Sequence, residues 1–206
     1  VLLGGAVVFP KVVVDLSTPE CAGYQPPAVS TPDPSSWPCP GAGCVVRPPA
    51  DQATFTGPGS YLVNSNWTVG HDGRITLNGI VPPGQALNLV VRGDLSLMQD
   101  TVIELLASGP VNVYVLGNLL VKQNSRVVSS PQAQVRFYVW GNVEVWQRSR
   151  WEFAVQDWVI FTIRGGLELK QDASIAKAAG YTQRAVVFLM DTSGSQGVTL
   201  SQDFAL

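Results

Sequence analysis

The chain has 206 residues, 46% of them hydrophobic and only 14% charged, with a formal net charge of −2. So apolar a composition excludes disorder throughout and suffices for a sizeable core, in one domain or a domain with an appendage. The charge balance is too small to name a partner, so any charged binding surface must come from local arrangement.

The first run, Val1-Leu2-Leu3-Gly4-Gly5-Ala6-Val7-Val8-Phe9, stops at Pro10 and Lys11. It is far shorter than the roughly 20 apolar residues of a membrane span. It also lacks the charged start and small-residue cleavage pattern of a signal peptide. No membrane insertion is expected of this stretch. The absence of an initiating Met points to a processed product or a fragment of a longer protein.

Residues 1–60 hold 11 of the 15 prolines and all three cysteines. Proline removes ladder donors, so Pro19 to Pro58 reads as irregular, extended chain that cannot be central sheet. This region is expected to wrap or cap something, with short strands at Val7–Phe9 and Val12–Val14. Cys21, Cys39 and Cys44 lack the fourth ligand and the spacing of a metal site, so a disulfide in an exported protein is expected. Cys39–Cys44 and a pairing with Cys21 are both permitted.

Residues 61–206 read differently. Gly93, Gly117, Gly141 and Gly165 recur every 24 residues, as do Gln99, Gln123, Gln147 and Gln171. Before each glycine stands an alternating strand (Leu87–Val91, Val111–Val115, Val135–Val139, Val159–Ile163), and after it a shorter one (Leu95–Leu97, Leu119–Val121, Val143–Val145, Leu167–Leu169). A third short strand centres on Ile103, Val127, Trp151 and Ile175. Asn66–Asp72 and Gly197–Asp203 add two looser units, giving about six rungs. Alternation with period 2 marks a strand with one face in a core. A coil of about 20–25 residues cannot bury that face alone, so it stacks on its neighbours. The fold class is therefore all-β: a right-handed parallel β-solenoid with a 24-residue repeat, its hand taken from the crossover preference of parallel strands. The corner glycines supply a left-handed or tight backbone, and the glutamines, with His71 in the same column, form an amide ladder.

No nucleophile elbow, phosphate loop or supported triad is present, and no cofactor or metal is expected. Asn66-Trp67-Thr68 fits a glycosylation sequon but lies on a predicted strand. Glu144 and Glu168 share an outward column one rung apart, the one arrangement that suggests a polysaccharide-cleaving pair. The stronger pattern is cationic and aromatic. Arg92, Trp140 and Arg164 fall in one outward column with Leu116, and Lys122, Trp146 and Lys170 in another. Arg126, Arg148 and Arg150 lie close together, and Arg136 stands beside Tyr114 and Tyr138. Between residues 111 and 184 there are nine Lys/Arg against five Asp/Glu. Cations for phosphates interleaved with rings for bases suit a sequence-tolerant DNA contact. The same rings suit sugars or a partner protein.

The run Gly59-Ser60-Tyr61-Leu62-Val63, followed by the Gly93-Asp94 and Gly117-Asn118 rungs, resembles the β-solenoid inserted in large minor pilins of type IV pili, including the competence-associated pilin of Thermus-like bacteria. The resemblance covers roughly residues 55–206. It implies a non-catalytic extracellular module near the pilus tip, contacting other pilin subunits and receiving DNA in natural transformation. The chain departs from these pilins in lacking their hydrophobic N-terminal helix. Two other functions are open from the residues alone: a polysaccharide-binding or polysaccharide-cleaving β-helix, and a structural or adhesive module.

Overall fold

The computed structural model describes residues 11–13, 32–39, 43–155, 159–170, 172–177, 186–190 and 198–200. In chain order there are β1 (Lys11–Val13), a 3-10 turn (Pro34–Ser36), β2 (Val45–Val46) and β3 (Gln52–Thr56). Five turns of three strands follow. They are β4 (Gly59–Val63), β5 (Trp67–Val69) and β6 (Arg74–Asn78); β7 (Leu87–Val91), β8 (Leu95–Leu97) and β9 (Val102–Leu105); β10 (Gly109–Val115), β11 (Leu119–Val121) and β12 (Arg126–Ser129); β13 (Ala133–Val139), β14 (Val143–Val145) and β15 (Arg150–Phe153); and β16 (Val159–Ile163), β17 (Leu167–Leu169) and β18 (Ser174–Lys177). β19 (Val186–Met190) and β20 (Val198–Leu200) open a sixth turn, so the six expected rungs are five complete ones and the described start of another.

The strands form three sheets. Sheet I runs β1-β19-β16-β13-β10-β7-β4-β2, sheet II β20-β17-β14-β11-β8-β5, and sheet III β18-β15-β12-β9-β6-β3. Pairing along the stack is parallel and steps by 24 residues in the middle, as in Val111↔Val135 and Leu119↔Val143. The step departs from 24 toward the ends: it is longer at Gly59↔Leu87 and Leu167↔Val198 and shorter at Gln52↔Arg74 and Val45↔Tyr61, and the pairing stays parallel at each of these. The one antiparallel pair among the described strands is β1 with β19, which brings Lys11–Val13 to the far end of sheet I.

The ladders begin at Val45, inside the proline-rich segment and not at residue 61. The reason is positional. β2 and β3 are the outermost strands of sheets I and III, pairing on one side only with β4 and β6, so the proline limit on central strands is respected. The chain between them closes the core, where Trp67 donates its indole N–H to the Ala50 carbonyl at 3.0 Å. Cys39 and Cys44 form the disulfide, and Cys21 lies outside the described residues, as does the expected strand Val7–Phe9.

Inward positions of all three sheets make one continuous core, with Phe55, Trp67, Phe137, Trp151, Phe153 and Phe161 among its largest fully buried side chains. Phe137 and Phe161, one rung apart, stack face to face with centroids 4.5 Å apart. In-register stacking thus turns sequence repetition into ring-on-ring contact.

The corner glycines are needed for room, not for a left-handed backbone. At the sheet I to sheet II corner, Asn66, Asp94, Asn118 and Asn142 each accept the backbone N–H of the equivalent residue one rung on, at 2.9, 2.7, 2.9 and 2.7 Å. These side chains occupy the space where a Cβ on Gly93, Gly117, Gly141 or Gly165 would project. Left-handed backbone falls instead just past the glutamine column, at Asp72, Asp100, Asn124, Arg148 and Asp172, with φ of 56, 61, 57, 59 and 54°. Four of these five are the Asp and Asn that tolerate the conformation; Arg148 is not. The glutamine ladder is present between Gln123 and Gln147.

Two stability measurements follow from the corners. Gly117→Ala would place its Cβ 2.8 Å from backbone atoms of Gly93 and Asp94, which cannot swing aside, so a loss of about 1–3 kcal/mol is expected in chemical denaturation. Arg148→Asn relieves a strained conformation and should raise stability by about 1 kcal/mol, or the thermal midpoint by about 2–4 °C. A lowered midpoint would show that the Arg148 side chain contributes more than its backbone costs.

Candidate nucleic-acid interface

Because every rung is in register, outward residues form straight columns, and the eleven cationic and aromatic candidates divide among them. Five stand on sheet I or its edge (Arg92, Arg136, Tyr138, Trp140, Arg164), three at the end of sheet II (Lys122, Trp146, Lys170), and three at the corner and start of sheet III (Arg126, Arg148, Arg150). They do not converge on one face.

The sheet I group is largely engaged with the chain's own N-terminal region. Asp33 caps the Pro34–Ser36 turn by accepting the Ser35 N–H at 2.8 Å, and this turn presents Trp37 to the sheet. Trp37 is buried in a second cluster with Cys39, Leu62, Val90 and Tyr114, against which Cys44, Leu116, Tyr138 and Trp140 pack. Its ring centroid lies 5.2 Å from that of Tyr114, and Tyr114 stacks on Tyr138 at 4.7 Å and 9°. Burial, reinforced by Tyr138 and opposed by Arg136, pushes the Tyr114 phenol up to about 12. The Arg92 guanidinium donates to the Cys39 carbonyl at 2.8 Å. Arg164 lies over the Trp140 ring at 3.9 Å. Asp33 is held below the usual carboxylate range by its bonds to Ser35 and, less strongly, by the charge of Arg164, against a small opposing effect of burial. A strap comprising residues 32–39 and 43–46 therefore descends the outer face of sheet I, from Arg164 past Tyr114 to Arg92 and β2. Arg136 stands clear of it, exposed at the end of a polar column in which Asn112 donates to Asn88 and Asn88 to Ser60.

The sheet II group is a closed ionic cluster. Lys122 and Lys170 sit 3.4 and 4.8 Å from the Trp146 ring centre, from the rungs on either side. Lys170 bridges Glu144 and Glu168 at 3.2 Å each, and the Trp146 indole donates to Glu144 at 3.3 Å. Burial of Glu144 works to raise its carboxyl, but the bonds from Lys170 and Trp146 and the charges of both lysines prevail and hold it below the usual range. Burial of Lys170 works to lower its ammonium, but both glutamates prevail and raise it. A glycosidase pair needs one carboxyl to keep its proton; the geometry here favours ionised Glu144.

The third group is open. Arg126 and Arg150 are Cα partners in the β12–β15 ladder, Arg148 precedes Arg150 by two residues, and all three are exposed. None makes an ion pair or side-chain hydrogen bond among the described residues. Arg74, lower on the same sheet, is tied to Glu104. Periodicity identified these columns; it missed Trp37 and Asp33, because the strap is aperiodic. The one available signal was a tryptophan inside an otherwise small and polar Pro-Ser-rich run.

Residues 40–154, more than half of the chain, match the profile of a domain of unknown function, DUF7305. The chain belongs to the DUF7305 family. The matched span runs from the strap's disulfide loop through β15 and includes the Arg126–Arg148–Arg150 corner. No curated protein sequence and no solved structure matches the chain.

The ionic cluster sets a pH dependence. The lowered Glu144 carboxyl stabilises the fold above its ordinary value of 4.5, and this contribution is lost as pH falls through the lower folded value. The raised Lys170 ammonium stabilises below its ordinary 10.5, a contribution lost as pH rises through the higher folded value. Because these side chains are partly exposed and screened by solvent, Lys170→Met should cost about 1 kcal/mol or less near neutrality. The variant should show a shallower fall in thermal midpoint between about pH 5 and pH 3 than the parent chain. Parallel curves would show that the cluster contributes nothing to stability.

Proposed function

We propose that this chain is a non-catalytic extracellular β-solenoid of a type IV pilus minor pilin, and that it holds DNA by its backbone along the Arg126–Arg148–Arg150 corner. The observation that carries the DNA reading is that these three arginines, on adjacent rungs of a rigid ladder, are exposed and without an acidic partner among the described residues. Like charges one rung apart repel, and a phosphate chain is the partner that relieves such a row. Lys122, held over Trp146 just before the corner, extends it. Placement on a pilus, contact with other pilin subunits and a role in natural transformation rest on the resemblance of the rung pattern to minor-pilin solenoids. Trp146 serves here by positioning ammonium groups, since lysines from two rungs lie against its ring. The polysaccharide reading is less well supported, because Glu144 and Glu168 share one lysine.

The test is binding of the chain to labelled DNA fragments of unrelated sequence across a salt series. Affinity should be sequence-tolerant, and log K should fall linearly with log salt, by about 0.9 per phosphate neutralised on duplex and about 0.7 on single strands. Arg126→Glu with Arg150→Glu should flatten that slope by about two contacts while leaving the fold intact. No binding at low salt, or an unchanged slope in the folded double variant, overturns the assignment; binding to acidic glycans alone would support the polysaccharide reading instead.

A further inference from the structure

Asn66-Trp67-Thr68 is the one Asn-x-Ser/Thr triplet formed by the eight asparagines of the chain. The structure puts its asparagine not on a strand but at the corner just ahead of β5. We propose that Asn66 is the acceptor of an N-linked glycan, transferred from a lipid-pyrophosphate-linked oligosaccharide, an inference that rests on the extracellular placement proposed above and not on DNA binding.

Three observations carry this beyond the motif. The first is access. Asn64, Ser65 and Asn66 are all exposed, whereas the equivalent corners at 92–94, 116–118 and 140–142 each hold at least two half-buried residues. Thr68 is exposed as well, since the buried–exposed alternation of β5 keeps its hydroxyl on the outer side. The second is a free amide nitrogen. Asn66 Oδ1 accepts the Asp94 N–H at 2.9 Å, but its Nδ2 has no partner among the described residues. Two turns further on, Asn118 donates its Nδ2 to Asp94 on the turn below at 3.2 Å. Asn66 has no ladder acceptor beneath it, because β5 is the outermost strand of sheet II. A sugar on Nδ2 therefore leaves the corner bond through Oδ1 in place. The third is the Cys39–Cys44 disulfide, a bond that persists in the oxidising, exported setting where sequons of surface segments are glycosylated.

Trp67, the middle residue of the triplet, is fully buried and its indole is bonded to the Ala50 carbonyl. A transferase needs the triplet drawn away from the core, so transfer precedes closure of the first turn around Trp67. In the step, Asn66 Nδ2 forms a bond to C1 of the oligosaccharide and gives up one proton. The bond from C1 to the pyrophosphate oxygen breaks, and the lipid pyrophosphate leaves with the electron pair. The folded product carries a bulky polar group outward from the corner at the head of β5.

The test is expression of the full chain behind a cleavable export leader, in cells that carry an oligosaccharyltransferase and glycosylate a reporter protein. The readouts are intact mass and mapping of the Asn66 peptide before and after peptide-N-glycosidase, which leaves Asp where a glycosylated Asn stood. The proposal expects one glycan per chain, on Asn66, kept in Thr68→Ser and lost in Thr68→Ala and Asn66→Asp. Asn66→Asp separates modification from folding, because Asp94 accepts the same corner bond from Asn118 at 2.7 Å. Its far-ultraviolet β signal should match that of the parent chain. An unmodified Asn66 in cells that glycosylate the reporter overturns the site, as does a glycan that survives Thr68→Ala. Because the leader supplies export, neither result bears on the extracellular placement. Finding the native chain only inside the producing cell overturns that placement and the glycan with it.

Discussion

In-register parallel stacking is the constraint on which everything else in this molecule depends. Once β10 lies on β7 and β13 on β10 with a constant step, each side chain must tolerate its own counterpart about 4.8 Å above and below. Apolar columns satisfy this by burial, and Phe137 over Phe161 shows how favourable it becomes for rings. Polar columns satisfy it only when each member is both donor and acceptor. The Asn66–Asp94–Asn118–Asn142 ladder does so by bonding forward to the next rung's backbone, and it fixes the glycines beside it. At Gly166 the ladder side chain ends, yet its N–H is still capped by Asn142 from below.

Much of this was legible in the sequence, because a column is a sequence period. The strands, the third strand at Trp151 and the looser outer units all follow from spacing alone. Spacing alone did not choose between a left-handed and a tight corner, since a glycine that makes room and one that turns left look alike in sequence. The asparagine column beside them carried the distinction. The start of the stack was hidden for another reason: β2 and β3 lie among prolines, and proline forbids a central strand without forbidding an edge strand.

The candidate surface was legible as columns but not as chemistry. Whether a charged column is free depends on neighbours offset by the rung step plus two, as Lys170 is from Glu144, and on aperiodic chain laid over the outside. Both effects removed residues from the open surface. Lys170 is paired with two carboxylates, Arg164 lies over Trp140, and Arg92, though exposed, donates to the strap's Cys39 carbonyl. The strap's own sequence predicts irregular chain and nothing about where it lies. Its position follows from an apolar anchor, Trp37, finding the one sheet I column among the described residues whose outward side chains, Leu62, Val90 and Tyr114, are buried apolar ones.

Two like-charge ladder pairs among the described strands show why the arginine corner stands apart. Glu144 and Glu168 are ladder partners, as are Arg126 and Arg150, so each pair brings equal charges together at the spacing of adjacent strands. Repulsion of this kind is unfavourable wherever it is not compensated. For the glutamates the compensation is built in, with Lys170 held 3.2 Å from both carboxylates and Trp146 bonding one of them. For the arginines no compensating acid is in contact among the described residues. Arg148 beside them adds a third positive charge on a left-handed backbone that Asp or Asn occupies on the other rungs. A corner that concentrates cations at a conformational cost would be relieved by a partner from outside the chain, and the proposed DNA contact rests on this. A partner that is anionic, extended along the stack axis and indifferent to side-chain detail meets that requirement, and a nucleic-acid backbone has all three properties.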